Sequence, residues 1–141
     1  MDYQAELNDG CIDALVEHAS ALRTLSPLAT VHVYPVKDAV GRVAPEATAF
    51  RWRTAGYSTI IAGFWFEPEQ DDETHISWAR GLWQAMPPHS MGGVYVNFLG
   101  EEGADRVREA YGANYDRLVT VKNTYDPTTF FRVNQSIAPT A

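Results

Sequence analysis

Apolar positions recur at helical spacing early in the chain, at Ile12, Leu15, Val16, Ala19 and Leu22, and predict a first helix. Asn8 stands where a helix cap belongs, with Leu7 and Ile12 at the two positions of a hydrophobic staple. Ser26-Pro27 marks its end. The pattern then changes period. From Ala29 to Tyr34, Val31 and Val33 alternate with His32 and Tyr34, as in a strand. Lys37 to Ala47, with Gly41 and Pro45, is a turn-rich connection. Tyr57 to Phe66 is aromatic and β-branched and predicts a second, longer strand. Glu67 to Asp72, with Pro68, is a loop. Asp71, Asp72 and Glu73 suit the N-terminus of a helix. That helix carries Ile76, Ala79, Leu82, Trp83 and Met86 and stops at Pro87-Pro88.

Val94 to Leu99 alternates again and predicts a third strand, with Val94, Val96 and Phe98 on one face and Tyr95 and Asn97 on the other. Glu101 to Tyr111 predicts a helix ended by Gly112. Asn114 is placed to cap the next helix, which runs to about Tyr125 on the accuracy expected of such boundaries. Asp126 before Pro127 disfavours further helix. Thr128 to Ala141 has no period and is expected to dock on something. These elements predict an α+β fold: a small antiparallel sheet backed by helices, with a C-terminal helical and extended tail.

Composition narrows the function classes. The chain has 141 residues, 45% of them hydrophobic and 12% aromatic, enough for one globular unit with a real core. The formal net charge is −7, which argues against nucleic acid and against anionic membranes as partners. No apolar run reaches the roughly 18 residues of a membrane span. The N-terminal Met1-Asp2-Tyr3-Gln4-Ala5-Glu6 has none of the regions of a signal peptide, so a cytoplasmic location is expected. Cys11 is the single cysteine. It permits no internal disulfide and reads as an ordinary semi-buried thiol.

Most chemical signatures are missing. There is no glycine-rich phosphate loop, and Gly92-Gly93 marks a turn. His18, His32, His75 and His89 lack the spacing of a zinc site, and His18 and His75 are expected on helix surfaces. Ser90 is a weak candidate nucleophile without its elbow motif. The Asp71-Asp72 pair is a helix start. Tyr95 and Asn97 are the informative pair. A phenol can serve as acid or base, and an amide can hold a carbonyl or a ring nitrogen. A merely solvated strand face is the competing explanation.

Longer motifs change the weighting. Tyr95-Val96-Asn97-Phe98 is followed by an acidic helix and by Ala110-Tyr111-Gly112-Ala113-Asn114-Tyr115-Asp116-Arg117-Leu118. Val121-Lys122-Asn123-Thr124-Tyr125-Asp126-Pro127 and Phe130-Phe131-Arg132-Val133-Asn134-Gln135-Ser136-Ile137 come next. This order resembles the C-terminal signature of the berberine-bridge-enzyme-like family of FAD-linked oxidases. Tyr34-Pro35, Ala39-Val40, Arg42-Val43, Thr48-Ala49-Phe50, Arg53, Trp65 and the helix from Ile76 to Trp83 resemble the late substrate domain of bacterial members. The resemblance implies a partial substrate-domain-like region over residues 1–93 and the family's C-terminal region over 94–141, in one compact unit. It implies hydride transfer from a small alcohol, sugar or secondary metabolite to flavin. Tyr95 matches the tyrosine that serves as, or supports, the catalytic base. Asn97 matches its polar neighbour, and Asn134 lies in a tail motif packing toward the flavin domain. Arg117, Lys122, Tyr125, Asp126 and Pro127 match as structural residues, with Arg117 and Lys122 expected to pair with acids.

The chain also departs from the family pattern. Phe98 replaces a frequent Tyr, Thr129 a common Asn, and Trp52-Arg53 a His-Arg pair. Ile60 stands where some members supply an amide or carboxylate, which leaves Tyr95 carrying more of the chemistry. The family's FAD-binding domain has no counterpart among these residues, so FAD binding by this chain is expected to be weak or absent. The partners implied are a small-molecule substrate and either a separate flavin-binding chain or a second copy in a homodimer. A non-enzymatic remnant that keeps the fold for small-molecule binding or dimerisation is the alternative.

Overall fold

The computed structural model describes residues 1–25, 28–65, 72–100, 103–133 and 135–140. The element order is β1 (Asp2–Gln4), α1 (Asp9–Leu25), β2 (Thr30–Pro35), β3 (Tyr57–Ala62), α2 (Asp72–Ala85), α3 (Ala104–Tyr111) and α4 (Tyr115–Tyr125), with short 3-10 turns at Pro87–His89, Val96–Phe98 and Gly112–Asn114. The fold is α+β, as the pattern predicts. It comprises two compact units interleaved in sequence: Met1–Lys37 with Ala55–Gly92, and Asp38–Thr54 with Gly93–Ala141. The chain passes from one unit to the other after Lys37, after Thr54 and after Gly92.

The first unit holds a three-stranded antiparallel sheet in the order β1-β3-β2. Its third strand is β1, not the predicted Val94 to Leu99 strand. β1 is short and two of its three residues are polar, so it carries no alternation to read. Burial is nevertheless complete at Asp2, Tyr3 and Gln4 because the polar atoms are met. The Asp2 carboxylate accepts from the Tyr3 amide at 2.8 Å, from Gln4 Nε2 at 3.2 Å and from Ser90 Oγ at 2.5 Å. Gln4 Oε1 accepts from Thr59 Oγ1 at 2.9 Å. Such satisfied groups are the condition for burying polar side chains. The Ser90 hydroxyl is thus committed to structure. β3 ends at Ala62, sooner than expected; Phe66 lies outside the described residues.

Asn8 caps α1 as predicted, its Oδ1 accepting from the Cys11 amide at 2.9 Å. The buried face of α1 differs from the predicted stripe. Cys11 is fully buried and forms a core with Leu82 and Met86, against which Leu7, Leu15, Val31 and Ile61 pack. Ile12 and Val16 are exposed. α2 is rotated similarly. Its buried residues are His75, Trp78 and Leu82, with Met86 beyond its end, while Trp83 is exposed. The expectation that His75 sits on the surface fails: it is buried and stacked on Trp65 at 4.8 Å. His18 is half-buried, its Nδ1 2.9 Å from the Ala14 carbonyl oxygen. Trp78 decides the rotation. Its large ring gains most from burial, and its Nε1 donates to the His18 carbonyl at 3.0 Å.

In the second unit, α3 and α4 stand where the sequence places them, and Gly112 ends α3 with φ +51°. Glu101, the predicted start of that helix, lies outside the described residues. Asn114 does not cap α4. Its side chain turns away and donates to the Pro45 and Thr48 carbonyls at 2.7 and 3.0 Å. Arg117 pairs with no acid among the described contacts; it donates to the Glu46 carbonyl at 2.8 Å. Lys122 does pair with an acid, Asp126. No described helix is long and apolar enough to cross a membrane.

Candidate functional site

The second unit gathers the site around Tyr95. Gly92 and Gly93, at φ +74° and +86°, steer the chain through conformations that L side chains avoid. A Cβ on Gly93 would stand 1.7 Å from the Trp52 ring, so glycine also makes room for that indole. Only a short extended stretch follows. The backbone then tightens into the Val96–Phe98 turn, the Phe98 amide donating to the Tyr95 carbonyl at 2.9 Å. The alternation expected of a strand is therefore absent. Val94 is buried, Val96 is half-buried and Phe98 is exposed.

The turn still brings Tyr95 and Asn97 together. Asn97 Nδ2 donates to the Tyr95 phenol oxygen at 2.9 Å. The half-buried Tyr95 ring meets Phe50 edge-on at 6.1 Å and Phe98 at 5.9 Å. Edge-to-face contacts of this kind fix ring orientation. Phe50 is held by Arg53, which lies 4.9 Å over its ring and donates Nε to its carbonyl at 3.2 Å. The Arg53 Nη atoms reach the Val40 carbonyl at 3.3 Å and Thr48 Oγ1 at 2.7 Å. The loop 38–54 is therefore fixed by arginine and asparagine contacts to its own carbonyls, which supply the hydrogen bonds a loop lacks.

Tyr95, Asn97, Phe50, Trp52 and Tyr111 line a cleft of about 190 Å³. Asn97 and Tyr111 also border a neighbouring cleft of about 350 Å³ closed by Val133 and Gln135. Gln135 Nε2 ties the tail back by donating to the Leu99 and Gly100 carbonyls at 3.0 and 2.7 Å. Burial pushes the Tyr111 phenol above its ordinary range, and the Tyr95 phenol adds in the same direction. Tyr111 and Trp52 stand in sequence motifs that do not mark them as cleft residues. Their side chains meet Tyr95 only through the fold. Asn134, the third expected site residue, lies outside the described residues.

A flavin dinucleotide needs an anion site for its pyrophosphate, most simply a helix N-terminus. All four described α-helices carry an acid in the first turn: Asp9 in α1, Asp72 and Glu73 in α2, Asp105 in α3 and Asp116 in α4. Carboxylates there already occupy the favourable field and repel an incoming anion. None of the described helix N-termini is therefore suited to hold a pyrophosphate, while the phenol and amide of Tyr95 and Asn97 are neutral polar groups that suit the edge of a ring. Among the described residues, no cluster of three or more His, Cys, Asp or Glu side chains is arranged to hold a metal.

α4 and the tail form a wider apolar cleft of about 670 Å³, with Leu118, Val121, Tyr125, Phe130 and Phe131 on its walls. Phe130, Phe131 and Val133 are 78%, 73% and 83% exposed, an unusual concentration of uncovered apolar surface. Asp126 shapes this region. Its carboxylate accepts from the Phe130 and Phe131 amides at 2.7 and 3.1 Å and from Lys122 Nζ.

Residues 94–138 match the family described as Berberine and berberine like. The chain is 38% identical over 79% of its length to the uncharacterized FAD-linked oxidoreductase YgaK of Bacillus subtilis (strain 168), covering 24% of that protein. It is 31% identical over 94% of its length to berberine bridge enzyme-like C-1 of Nicotiana tabacum, covering 28% of it. Its fold is similar to that of a chitooligosaccharide oxidase at TM-score 0.62 and 22% identity, over 92% of this chain and 30% of that one. The chain thus spans about a quarter of the length of the curated relatives it matches.

Proposed function

Because the chain belongs to the berberine-bridge-enzyme-like family of FAD-linked oxidoreductases, we propose that it is the substrate-side wall of such an enzyme and acts on a small hydroxylated molecule. The observation that carries this reading is the Tyr95–Asn97 hydrogen bond at the mouth of an aromatic cleft, inside the segment that matches the family. When bound, the flavin supplies the hydride acceptor. Tyr95 in its phenolate form would supply the base, taking the proton from the substrate hydroxyl and ending as the neutral phenol. Asn97 occupies one lone pair of the phenol oxygen, orients the other toward the substrate and stabilises charge that develops there. Phe50 and Trp52 limit the water around the reacting groups, which strengthens both effects.

The flavin's pyrophosphate and adenosine belong to a separate flavin-binding portion in this proposal, because the helix N-termini here disfavour them. The exposed Phe130, Phe131 and Val133 support a docked partner: that flavin-binding portion, or failing it a second copy of this chain. A cytoplasmic setting belongs to the same proposal, with no nucleic acid or membrane as partner.

The test is reconstitution. The purified chain is expected to be colourless and to retain little or no FAD. Mixed with the part of YgaK outside the aligned quarter, it is expected to form a yellow complex whose flavin bleaches on addition of an oxidisable alcohol or sugar. Stoichiometric flavin in the chain alone would overturn the division of labour. Bleaching that persists undiminished in Tyr95→Phe would overturn the base.

A further inference from the structure

Arg51 is a half-buried cation of the second unit that the fold leaves without a counter-ion. The described ion pairs of that unit engage Arg106, Arg108 and Lys122. Arg53 and Arg117 spend donors on the Phe50, Val40 and Glu46 carbonyls and on Thr48 Oγ1. The Arg51 side chain makes no hydrogen bond or ion pair with a described residue. It is held by its plane instead. The guanidinium carbon lies 4.5 Å over the ring of the buried Trp52. A Cβ on Gly112 would stand 1.8 Å from Arg51 Nη1, so glycine makes room for the guanidinium beside Tyr111. Stacking on an aromatic face leaves the N–H donors on the guanidinium edge available. Trp52 and Tyr111 are walls of the cleft of about 190 Å³ that Tyr95 and Asn97 line, which puts Arg51 at its rim. Trp52 departs from the family pattern, so the platform under Arg51 is this chain's own.

We propose that Arg51 is a specificity-determining residue that selects substrates carrying a carboxylate. This rests on the reading of the Tyr95 cleft as a substrate site and names the class of molecule it takes. The body of the substrate lies among Phe50, Trp52, Tyr95 and Tyr111. Its carboxylate meets the edge of Arg51 in the parallel pair of N–H···O bonds that a guanidinium fork provides. One cation matches one negative charge. A phosphate dianion would bring a second charge into a chain whose net charge is already −7, and the neighbouring Arg53 is committed to Thr48 and to two carbonyls. A neutral substrate of the same shape would leave the guanidinium unmatched, and that difference is the source of the selection.

The test is a titration of the whole chain, without flavin or partner, with benzoate and with its neutral analogue benzamide. Binding is followed by the nuclear magnetic resonance signals of the Arg51 Nε–H and the Trp52 indole. Benzoate is expected to bind saturably and at least about tenfold more tightly than benzamide, the worth of a charge-assisted hydrogen bond. Arg51→Gln is expected to bring the two ligands level while melting as the parent does. Arg51→Lys, which keeps the charge without the fork, should recover part of the preference. Absence of benzoate binding, equal binding of the two ligands to the parent chain, or an undiminished preference in Arg51→Gln overturns the proposal. These outcomes leave the oxidoreductase reading standing, because that reading is tested by reconstitution with flavin. Failed reconstitution beside intact selection of benzoate would overturn the oxidoreductase reading and keep Arg51 as a carboxylate site.

Discussion

Asn97 donates its amide to the phenol oxygen of Tyr95 across a one-residue gap, at 2.9 Å. In a strand, two residues so spaced share a face but stand apart by roughly 7 Å along the chain. The Val96–Phe98 turn shortens that separation and makes the bond direct. On the proposed role of Tyr95 as base, Tyr95→Phe is expected to lower turnover of the reconstituted enzyme by about 10²–10⁴-fold, the usual worth of a general base. Asn97→Ala should lower it less and weaken substrate binding little. Steady-state kinetics on both variants, with thermal melts to verify folding, measure this.

Asp126 joins the end of α4 to the tail. The Lys122 ammonium bonded to it holds its carboxyl below the usual carboxylate range, against the opposing effect of burial, and the Phe130 and Phe131 amides add to the lowering. A carboxyl whose folded pKa is depressed contributes stability that is present above its unfolded value and is lost as pH falls through the folded one. The tail is thus expected to stay clamped down to about pH 4 and to loosen below it. Amide exchange at Phe130 and Phe131 across an acid titration tests this. Asp126→Asn should show the faster exchange already at neutral pH.

Gly93 makes a steric prediction. Alanine there would place a Cβ 1.7 Å from the Trp52 ring at φ +86°. The backbone strain alone is about 1–3 kcal/mol, and displacement of the indole adds to it. Gly93→Ala should lower the melting temperature and shift Trp52 fluorescence. Gly92→Ala, with open space around the same Cβ, should cost only the strain.

Cys11 is expected to be chemically silent in the folded chain. Burial pushes its thiol above the ordinary range, and the Asp2 carboxylate adds to the shift. Since the thiolate is the reactive form, a thiol reagent should label Cys11 only at the rate of unfolding. Rapid stoichiometric labelling under native conditions would contradict the buried core of Cys11, Leu82 and Met86.

Leu82 sits at the centre of that core with no exposure. Leu82→Ala should cost about 2–5 kcal/mol. Val96→Asp, which a strand with Val96 in the core would make ruinous, should cost much less, because Val96 is half-buried in a turn. Denaturant unfolding of the two variants side by side ranks them.

The sequence by itself determined the local choices. Asn8 as cap, Gly112 as the end of α3, Asp126-Pro127 as the exit from α4 and the two strands at residues 30 and 57 are all set by backbone chemistry within a few residues. The long order of motifs from Tyr95 to Ile137 also pointed to the family. What the sequence left open depended on partners far along the chain. β1 is a strand because Thr59 and Ser90 satisfy Gln4 and Asp2, 55 and 88 residues away. The faces of α1 and α2 turn on the burial of Trp78 and Cys11, which a hydrophobic stripe ranks below Ile12 and Val16. Val94 to Leu99 alternates like a strand, but the positive φ of Gly92 and Gly93 and the close approach of Trp52 bend it into a turn. Tyr95 and Asn97 were legible as a pair; that Tyr111 and Trp52 join them in one cleft was decided only by tertiary packing, which brings together side chains that no local period connects.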